Sequence, residues 1–225
     1  MKRSLSKGEL AFWIVLALAV LVNFATYIAL LPAMPDQLTS HWGVDGVDDW
    51  NSKEASLAMA ALPAIILAVL FIVPRIDPKG RNFERFSGIY RTFVTVLTLF
   101  MIAISWAGPL TVWGYLSPDG AVLNTLLFGF FGLLFIGLGN YLPRIKPNYT
   151  FGIRTPWTLA SEEVWRRTHR ASGPVFVVAG IATFIAAFFA SAAPVVAIVV
   201  MLVTVLGATA FAGVYSYLAW RKLSA

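Results

Sequence analysis

Six stretches of about 20 residues, each built mainly from apolar side chains, constrain the fold more strongly than any other feature of the sequence. None of them contains Asp, Glu, Lys or Arg. A helix of about 20 apolar residues crosses a bilayer, and one charge at its centre costs about 2.5–3.5 kcal/mol on insertion scales. The pattern therefore predicts an all-α polytopic membrane protein with six transmembrane helices. The predicted spans are roughly residues 10–31, 55–73, 92–115, 121–138, 174–192 and 195–218.

The composition agrees with a membrane-embedded chain and excludes several kinds of site. Charged residues make up 12% of the 225 residues, about half of the roughly 25% in an average soluble protein. The absence of cysteine excludes disulfide bonds, thiolate metal sites and cysteine nucleophiles. Only two histidines, His41 and His169, are available for acid–base or metal chemistry.

Lysine and arginine alternate between the connections of the six predicted spans. The N-terminus, the second and fourth connections and the C-terminus hold 16 of the 17 basic residues, and the remaining connections hold only Lys53. Because cytoplasmic segments are enriched in Lys and Arg, this asymmetry predicts that both termini are cytoplasmic. The net charge of +6 then divides into +11 on the predicted inner side and −5 on the predicted outer side.

The first span is preceded by Lys2, Arg3 and Lys7, as a signal peptide would be. Its apolar run of about 22 residues exceeds the 7–15 residues typical of a signal peptide, so we expect a retained anchor.

The predicted spans and loops divide the chain into two parts. Residues 1–91 form an N-terminal two-span unit with an extracytoplasmic loop at 32–54. Residues 92–225 form a four-span unit with a cytoplasmic loop at 139–173.

The predicted outer loop is acidic and contains five Asp and Glu, two Trp and one His. We favour a solvated acidic cap over a cation site at His41, because the spacing of the acids matches no recognised ligand pattern. A third interpretation is a surface that recognises an extracellular peptide through its amphipathic tryptophans. The outer-loop residues singled out for a ligand-facing role are Asp36, His41, Trp42, Asp45, Asp49 and Trp50. The cation site would join His41 with Asp45, Asp48 or Asp49.

The predicted inner loop is an amphipathic helical loop with two helix-start signals. Thr155 can cap a helix that begins at Pro156, and Ser161 precedes the acids Glu162 and Glu163, which suit the positive end of a helix dipole. One interpretation is a short surface helix at the inner membrane face, and the other is a docking site or a lipid-headgroup site. The residues that favour a specific site are Asn140, Asn148, Arg154, Thr155, Trp157, Trp165 and His169.

Enzyme signatures are weak. The sequence contains neither H-E-x-x-H nor G-x-S-x-G, and the two histidines lie on opposite sides of the membrane in the predicted topology. Residues 162–167 fit the E-E-x-x-x-R element of the CAAX-type intramembrane proteases, but the membrane-embedded histidines of that family are missing, so we interpret the match as coincidence. We predict no catalytic residue, no cofactor, no metal site and no direct binding of nucleic acid.

Two segments resemble the SdpI-like family of membrane proteins, and with their flanking spans they cover nearly the whole chain. The outer segment resembles the N-terminal domain of unknown function common in this family, on the residues Pro35, Asp36, His41, Gly46, Asp49, Trp50, Ser52 and Lys53. The inner segment is similar to the family signature, on the residues Gly139, Asn140, Pro147, Asn148, Gly152–Thr158, Trp165, Thr168 and His169.

The resemblance implies a non-enzymatic, multi-pass protein of the bacterial inner membrane. It implies immunity to a secreted peptide toxin, and signalling in which a cytoplasmic repressor is held at the membrane when toxin is present. The expected partners are membrane lipids, an extracellular peptide toxin that meets the outer-loop residues, and an ArsR-like repressor that docks on the inner-loop residues.

A second function stays open at this point. A membrane enzyme, or a transporter that binds a small molecule or lipid, would use the inner polar cluster around Asn140, Arg154 and His169. Ion-coupled transporters usually carry ionisable groups within their spans, and the six predicted spans contain no acidic or basic side chain.

Overall fold

The computed structural model describes residues 6–224, so Lys2 and Arg3 lie outside the described part of the chain. The described chain is mostly helical, and six of its helices are long and apolar enough to cross a membrane, which confirms the six predicted spans. In chain order the elements are α1 (Lys7–Leu30), β1 (Gln37–Gly43), β2 (Gly46–Ser52), α2 (Leu57–Ile76), α3 (Ser87–Ser105), α4 (Ala107–Val112), α5 (Ala121–Tyr141), α6 (Pro156–Ala160), α7 (Glu162–Ala187) and α8 (Pro194–Ser224).

Local signals explain where the first helix begins and ends. The Ser6 side chain accepts a hydrogen bond from the Glu9 N–H (3.2 Å), and the Glu9 carboxylate accepts one from the Ser6 N–H (3.0 Å). This reciprocal cap satisfies two of the amides that a helix start leaves without partners. The α-helix gives way to a short 3₁₀ turn that contains Pro32, since proline has no N–H to continue the backbone hydrogen bonds of the helix.

The third predicted span, residues 92–115, is interrupted at Trp106. Pro109 has no N–H to donate to the carbonyl of Ser105, so the α-helical ladder is broken between α3 and α4. The Trp106 indole N–H instead donates to Asn23 Oδ1 (2.7 Å), and its ring packs 4.9 Å from that of Tyr27. A partly buried side-chain hydrogen bond thus accompanies the break in the helix.

The predicted acidic outer loop folds into an antiparallel β-hairpin, an element that was not predicted from the sequence. Strands β1 and β2 pair from Gln37 opposite Ser52 to Gly43 opposite Gly46. Gly46 has a φ of +108°, a backbone conformation that residues other than glycine rarely adopt. The dipeptide Asp45-Gly46 is a common hairpin-turn sequence, so this element had a local signal. We call residues Gln37–Ser52 the hairpin.

The described residues group into two compact units. Unit 1 contains the described part of Met1–Val73 together with Arg91–Asp119, and unit 2 contains Pro74–Tyr90 with the described part of Gly120–Ala225. The boundary at residue 91 that the sequence suggests divides the chain in another way, and it stays a prediction.

Within each unit, alternate connections meet. In unit 1 the Val47 N–H of the hairpin donates to the carbonyl of Pro118 (2.9 Å), so the first and third connections lie together. In unit 2 the Tyr149 N–H donates to Asp77 Oδ2 (2.8 Å), so the second and fourth connections lie together. Both contacts are those expected of helices that cross a membrane in alternating directions.

Helices α5 and α7 of unit 2 touch through glycines on both sides. A Cβ on Gly139 would lie 2.7 Å from the Gly173 carbonyl oxygen, and a Cβ on Gly180 would lie 2.6 Å from that of Gly132. The two backbones therefore approach more closely than any larger residue would allow. Small residues support such contacts inside membranes, where apolar side chains gain little by packing on protein in place of lipid.

Helix α7 begins at Glu162, twelve residues before the predicted start of the fifth span at Pro174. The amphipathic inner helix expected from the sequence is the first part of this same helix. Pro174 lies in its interior and removes only one hydrogen bond, the one that its missing N–H would donate to Arg170.

The glycine contact gives the first testable prediction. Replacing Gly139 by alanine should lower the free energy of unfolding by about 1–3 kcal/mol, because the new methyl group meets backbone atoms that cannot rotate away. Gly137 lies on the same helix, and a methyl group added there would have nothing within 4 Å, so Gly137→Ala should be neutral or stabilising by up to about 1 kcal/mol. Thermal unfolding of both variants in detergent measures the difference, and equal melting temperatures would contradict the close contact.

Candidate functional site

The predicted inner cluster belongs to the connection between α5 and α7, which we call the signature loop (residues 145–161). Asn148 is its central residue and is only 1% exposed. Its amide nitrogen donates to the carbonyls of Lys146 (2.8 Å) and Phe151 (2.9 Å), and its oxygen accepts from the N–H groups of Thr150 (2.9 Å) and Phe151 (2.6 Å). All four hydrogen-bonding positions of the Asn148 amide are occupied, so the role of this residue is to shape the loop.

Two residues outside the predicted cluster hold the signature loop from the connection between α2 and α3. Asp77 accepts hydrogen bonds from the Thr150 hydroxyl (2.8 Å) and from the backbone N–H of Tyr149 (2.8 Å). The Asn82 amide donates to the carbonyl of Pro147 (2.6 Å). Sequence reasoning missed both residues. The one available signal was that Asp77 is one of two acids in a segment rich in Arg and Lys.

Trp165 and His169 lie one turn apart on α7 and are 2% and 1% exposed. Their rings stack at 4.1 Å. The Trp165 indole N–H donates to the carbonyl of Ile145 (2.9 Å), which fixes the start of the signature loop on α7. These two predicted site residues are therefore brought together, in the protein interior.

The hydrogen bonds of His169 define its protonation state. Nδ1 lies 2.9 Å from the carbonyl oxygen of Trp165, so it must carry a proton and donate. Nε2 accepts the backbone N–H of Ile153 (3.0 Å), so it must be unprotonated. A neutral imidazole with both nitrogens engaged holds the loop and has no free nitrogen for a metal ion or a substrate.

Thr155 caps helix α6 as the sequence predicts. Its hydroxyl oxygen accepts the Thr158 N–H (3.2 Å), and the Thr158 hydroxyl oxygen accepts the Thr155 N–H (2.8 Å). The Thr155 hydroxyl also donates to Ser216 Oγ on α8 (2.9 Å), and Ser216 is fully buried. The same end of the loop is held by Trp157, whose ring packs 5.2 Å from that of Tyr217. The loop is thus tied to α8 as well as to α7.

The remaining predicted residues of the inner cluster are exposed. Asn140 lies at the end of α5 with its side chain exposed. Arg154 is exposed too, and its Nη1 donates to the carbonyl of Tyr149 (3.3 Å), whose own ring is 43% exposed. Arg154 and Tyr149, with the half-buried Trp157, form an accessible surface on a loop that the buried residues make rigid.

The hairpin lies on α4 through one strand. Leu38 of β1 is 1% exposed and belongs to a buried apolar cluster with Tyr27 and Met34, against which Trp106 and Val112 pack. Strand β2 differs, because four of its seven residues, Asp48–Asn51, are exposed one after another.

Asp36 and Lys53 form an ion pair at the base of the hairpin. The Lys53 ammonium lies 2.9 Å from Asp36 Oδ1, and the backbone N–H of Lys53 donates to the Asp36 carbonyl (3.0 Å). The hydrogen bond to Lys53 and its positive charge hold the pKa of the Asp36 carboxyl below its usual value. The same hydrogen bond raises the pKa of Lys53. Both groups therefore stay charged at neutral pH. Lys53, the one Lys or Arg of the predicted outer side, is thus already paired with an acid.

His41 and the remaining acids do not form a cation site of several ligands. His41 Nδ1 lies 2.6 Å from Asp48 Oδ1 in an exposed pair. Within residues 6–224, no three His, Asp or Glu side chains are grouped closely enough to hold a metal ion. Asp45 and Asp49 are exposed, and Asp49 accepts the N–H of Trp50 (2.9 Å).

The two predicted tryptophans of the outer loop have different surroundings. Trp50 is 52% exposed on β2. Trp42 is half-buried on β1, and its indole N–H is buried without a hydrogen-bond partner. Trp50 is therefore the accessible aromatic residue of the hairpin.

These features define a multi-pass membrane protein of six helices with a β-hairpin at one connection and a rigid polar loop at another. Residues 144–216, which include the signature loop and helices α6 and α7, match the SdpI/YfhL protein family. The chain is also 25% identical to the immunity protein SdpI of Bacillus subtilis (strain 168), over 94% of this chain and 97% of the relative. The family match confirms the resemblance drawn from the inner loop, and the similarity to the immunity protein extends over the outer loop as well. No solved structure matches the chain significantly.

The site gives a second prediction, based on two asparagines that differ in burial. Asn148→Asp removes the donors to Lys146 and Phe151 and sets a carboxylate against their carbonyl oxygens, so it should destabilise the loop by about 2 kcal/mol or more. Asn140→Asp makes the same chemical change at an exposed position and should stay within about 0.5 kcal/mol of the parent.

Trypsin provides the measurement, since Arg154 lies within the signature loop and is followed by Thr155. Cleavage after Arg154 should be faster in Asn148→Asp and unchanged in Asn140→Asp. If both variants resist trypsin as the parent does, Asn148 does not hold the loop.

Proposed function

We propose that this chain is an immunity protein of the bacterial cytoplasmic membrane that protects its host against a secreted peptide toxin. The observation that carries the proposal is the similarity to an immunity protein over 94% of the chain, which includes both the hairpin and the signature loop. The proposed orientation has both termini in the cytoplasm, as the distribution of Lys and Arg predicts.

In this proposal the hairpin meets the toxin. Its acids Asp45, Asp48 and Asp49 are exposed, and Trp50 offers an accessible aromatic ring. Aromatic residues with a polar end are common anchors in recognition surfaces. An acidic, aromatic surface suits a cationic, partly apolar peptide.

The signature loop serves in the proposal as a cytoplasmic docking surface for an ArsR-like repressor. Arg154 supports this role because a guanidinium binds carboxylates in a fixed planar geometry. Tyr149 and Trp157 lie on the same loop as partly accessible aromatic residues. The buried residues Asn148 and His169 keep this surface in one conformation, which lowers the entropy that a partner loses on binding.

The alternative of a membrane enzyme or transporter receives less support from the same residues. His169 uses both ring nitrogens for backbone hydrogen bonds, and Asn148 uses its whole amide. Groups that are fully engaged within a loop are poorly suited to bind a substrate. Arg154 and Asn140 are exposed, so a substrate of such an enzyme or transporter would have to be bound by these two side chains.

The proposed orientation is tested by single cysteines, which the natural sequence lacks. A cysteine at Asp45 should react with a membrane-impermeant maleimide in intact cells, because the hairpin tip is exposed and lies outside. A cysteine at Lys222 should react only after the cells are opened. The reverse labelling pattern would overturn the orientation.

Complementation tests the function itself. Bacillus subtilis that lacks its SdpI should regain immunity when it expresses this chain, and growth beside toxin-producing cells measures protection. Trp50→Ala should reduce protection because it removes the accessible ring of the hairpin. Tyr115→Ala removes a ring that is 77% exposed in the third connection, outside the hairpin, and serves as the control.

Membrane abundance of each variant is measured by immunoblot so that loss of protein is not counted as loss of function. Full sensitivity of cells that contain normal amounts of the parent chain would refute the immunity function. Equal protection by Trp50→Ala and Tyr115→Ala would contradict the proposed role of the hairpin in immunity.

A further inference from the structure

Strand β2 exposes both of its faces. In a strand that packs on a protein core, alternate side chains are buried, because successive side chains point to opposite faces. In β2 the residues Asp48, Asp49, Trp50 and Asn51 are all exposed in succession. The hairpin is a sheet of two strands, and α4 packs against β1. The backbone edge of β2 away from β1 is therefore uncovered along Asp48–Asn51.

The direction of the backbone amides can be followed along this edge. The Lys53 N–H points toward the β1 side, since it donates to the carbonyl of Asp36. Amide direction alternates along a strand, so the Asn51 N–H points toward β1 and the Trp50 N–H points away from it. The Val47 N–H also points away, toward Pro118. Strict alternation would not let the N–H groups of both Val47 and Trp50 point away, because the two residues are separated by an odd number of positions. A register shift leaves Asp48 without an opposite residue in β1 and restores the agreement.

The outward amide of Trp50 is occupied by a side chain of its own strand. Asp49 Oδ1 accepts the Trp50 N–H at 2.9 Å. A carboxylate in this position satisfies the donor and places a negative charge at the edge, which discourages pairing with another copy of the same acidic strand. An exposed carboxylate can rotate away when a better acceptor arrives, so the amide is protected and still available.

Charge determines which strand fits the edge. Asp45, Asp48 and Asp49 are exposed around it; Asp48 lies 2.6 Å from His41 Nδ1, and Lys53 at the base of the hairpin is paired with Asp36. A segment with Lys or Arg side chains would be attracted, whereas an acidic segment would be repelled. The half-exposed ring of Trp50 adds an apolar contact for an alternate side chain of the same segment.

We propose that the β2 edge binds an extended cationic peptide by strand addition, with the peptide carbonyl replacing Asp49 at the Trp50 N–H and the freed Asp49 carboxylate pairing with a basic side chain of the peptide. Strand addition is a common mode of peptide recognition, in which the backbone supplies affinity and alternate side chains supply specificity. The inference rests on the proposed toxin-facing role of the hairpin and adds the binding mode and the chemical class of the partner.

The test uses the full chain in nanodiscs of zwitterionic phosphatidylcholine, so that the lipid does not attract the probe. The probe is a synthetic peptide of about eight residues with alternating lysine and valine. A second peptide has the same sequence but carries a methyl group on every backbone nitrogen, which removes the donors of both edges and keeps every charge. We expect the unmodified peptide to bind about tenfold more tightly, because strand addition needs those donors.

Hydrogen exchange identifies the edge directly. Exchange of the Trp50 amide should slow when the unmodified peptide binds, because a backbone carbonyl replaces a mobile carboxylate. Asp49→Asn should weaken binding more than Asp45→Asn, which removes the same charge at the turn and away from the Trp50 N–H. Equal affinity for the two peptides, or equal effects of the two substitutions with unchanged Trp50 exchange, would overturn strand addition.

The outcomes separate this inference from the immunity function. If Asp49→Asn still protects cells at normal abundance and the strand-addition test fails, the proposal for the β2 edge is wrong. The immunity function is then unaffected. If the chain binds the peptide by strand addition but does not protect cells, the β2 edge is a peptide-binding site and the proposed immunity function is wrong.

Discussion

The close backbone contact between α5 and α7 is the constraint on which the organisation of unit 2 depends. The glycines that meet at Gly139 and Gly173 lie near the end of α5 and within the first half of α7, beside the loop that joins the two helices. Because the helices touch there, the loop has no gap to bridge and is free to fold back on α7. Trp165 can then reach the carbonyl of Ile145, and the loop is fixed at its start by the same helix that follows it.

In both units, several buried polar groups are held by hydrogen bonds between neutral partners. In unit 1 the Asn23 amide meets the Trp106 indole, and the Tyr27 hydroxyl donates to Ser56 Oγ (2.9 Å). In unit 2 the neutral His169 and Asn148 serve the same purpose for the signature loop. Neutral partners avoid the desolvation penalty that a charge would incur near lipid, and an unpaired donor there would cost several kcal/mol, on the order of 2–7.

The sequence predicted the features that repeat and missed those that depend on distant contacts. Six spans followed from hydropathy alone, and Trp165 and His169 followed from their i,i+4 spacing and from the density of hydrogen-bonding side chains in the inner loop. The hairpin was missed although Asp45-Gly46 is a turn sequence, because acids and glycines in a loop between spans also fit an irregular segment. Asp77 was missed because its partners lie more than 70 residues away, and no local pattern reports such a pairing. The motif residues proved to be of two kinds, buried residues that hold the loop and exposed ones such as Arg154.

Helix α7 runs without interruption from its charged start to its apolar end, and its length relates the signature loop to the thickness of the bilayer. Its 26 residues extend about 39 Å at 1.5 Å per residue, whereas the hydrocarbon core is about 30 Å thick. About two turns of a rigid helix must therefore stand in the headgroup region or beyond it. A thicker bilayer would draw Trp165 and His169 toward the hydrocarbon, and a thinner one would lift the loop into water or tilt the helix. The lipid composition of the host thus sets the height at which this loop is presented.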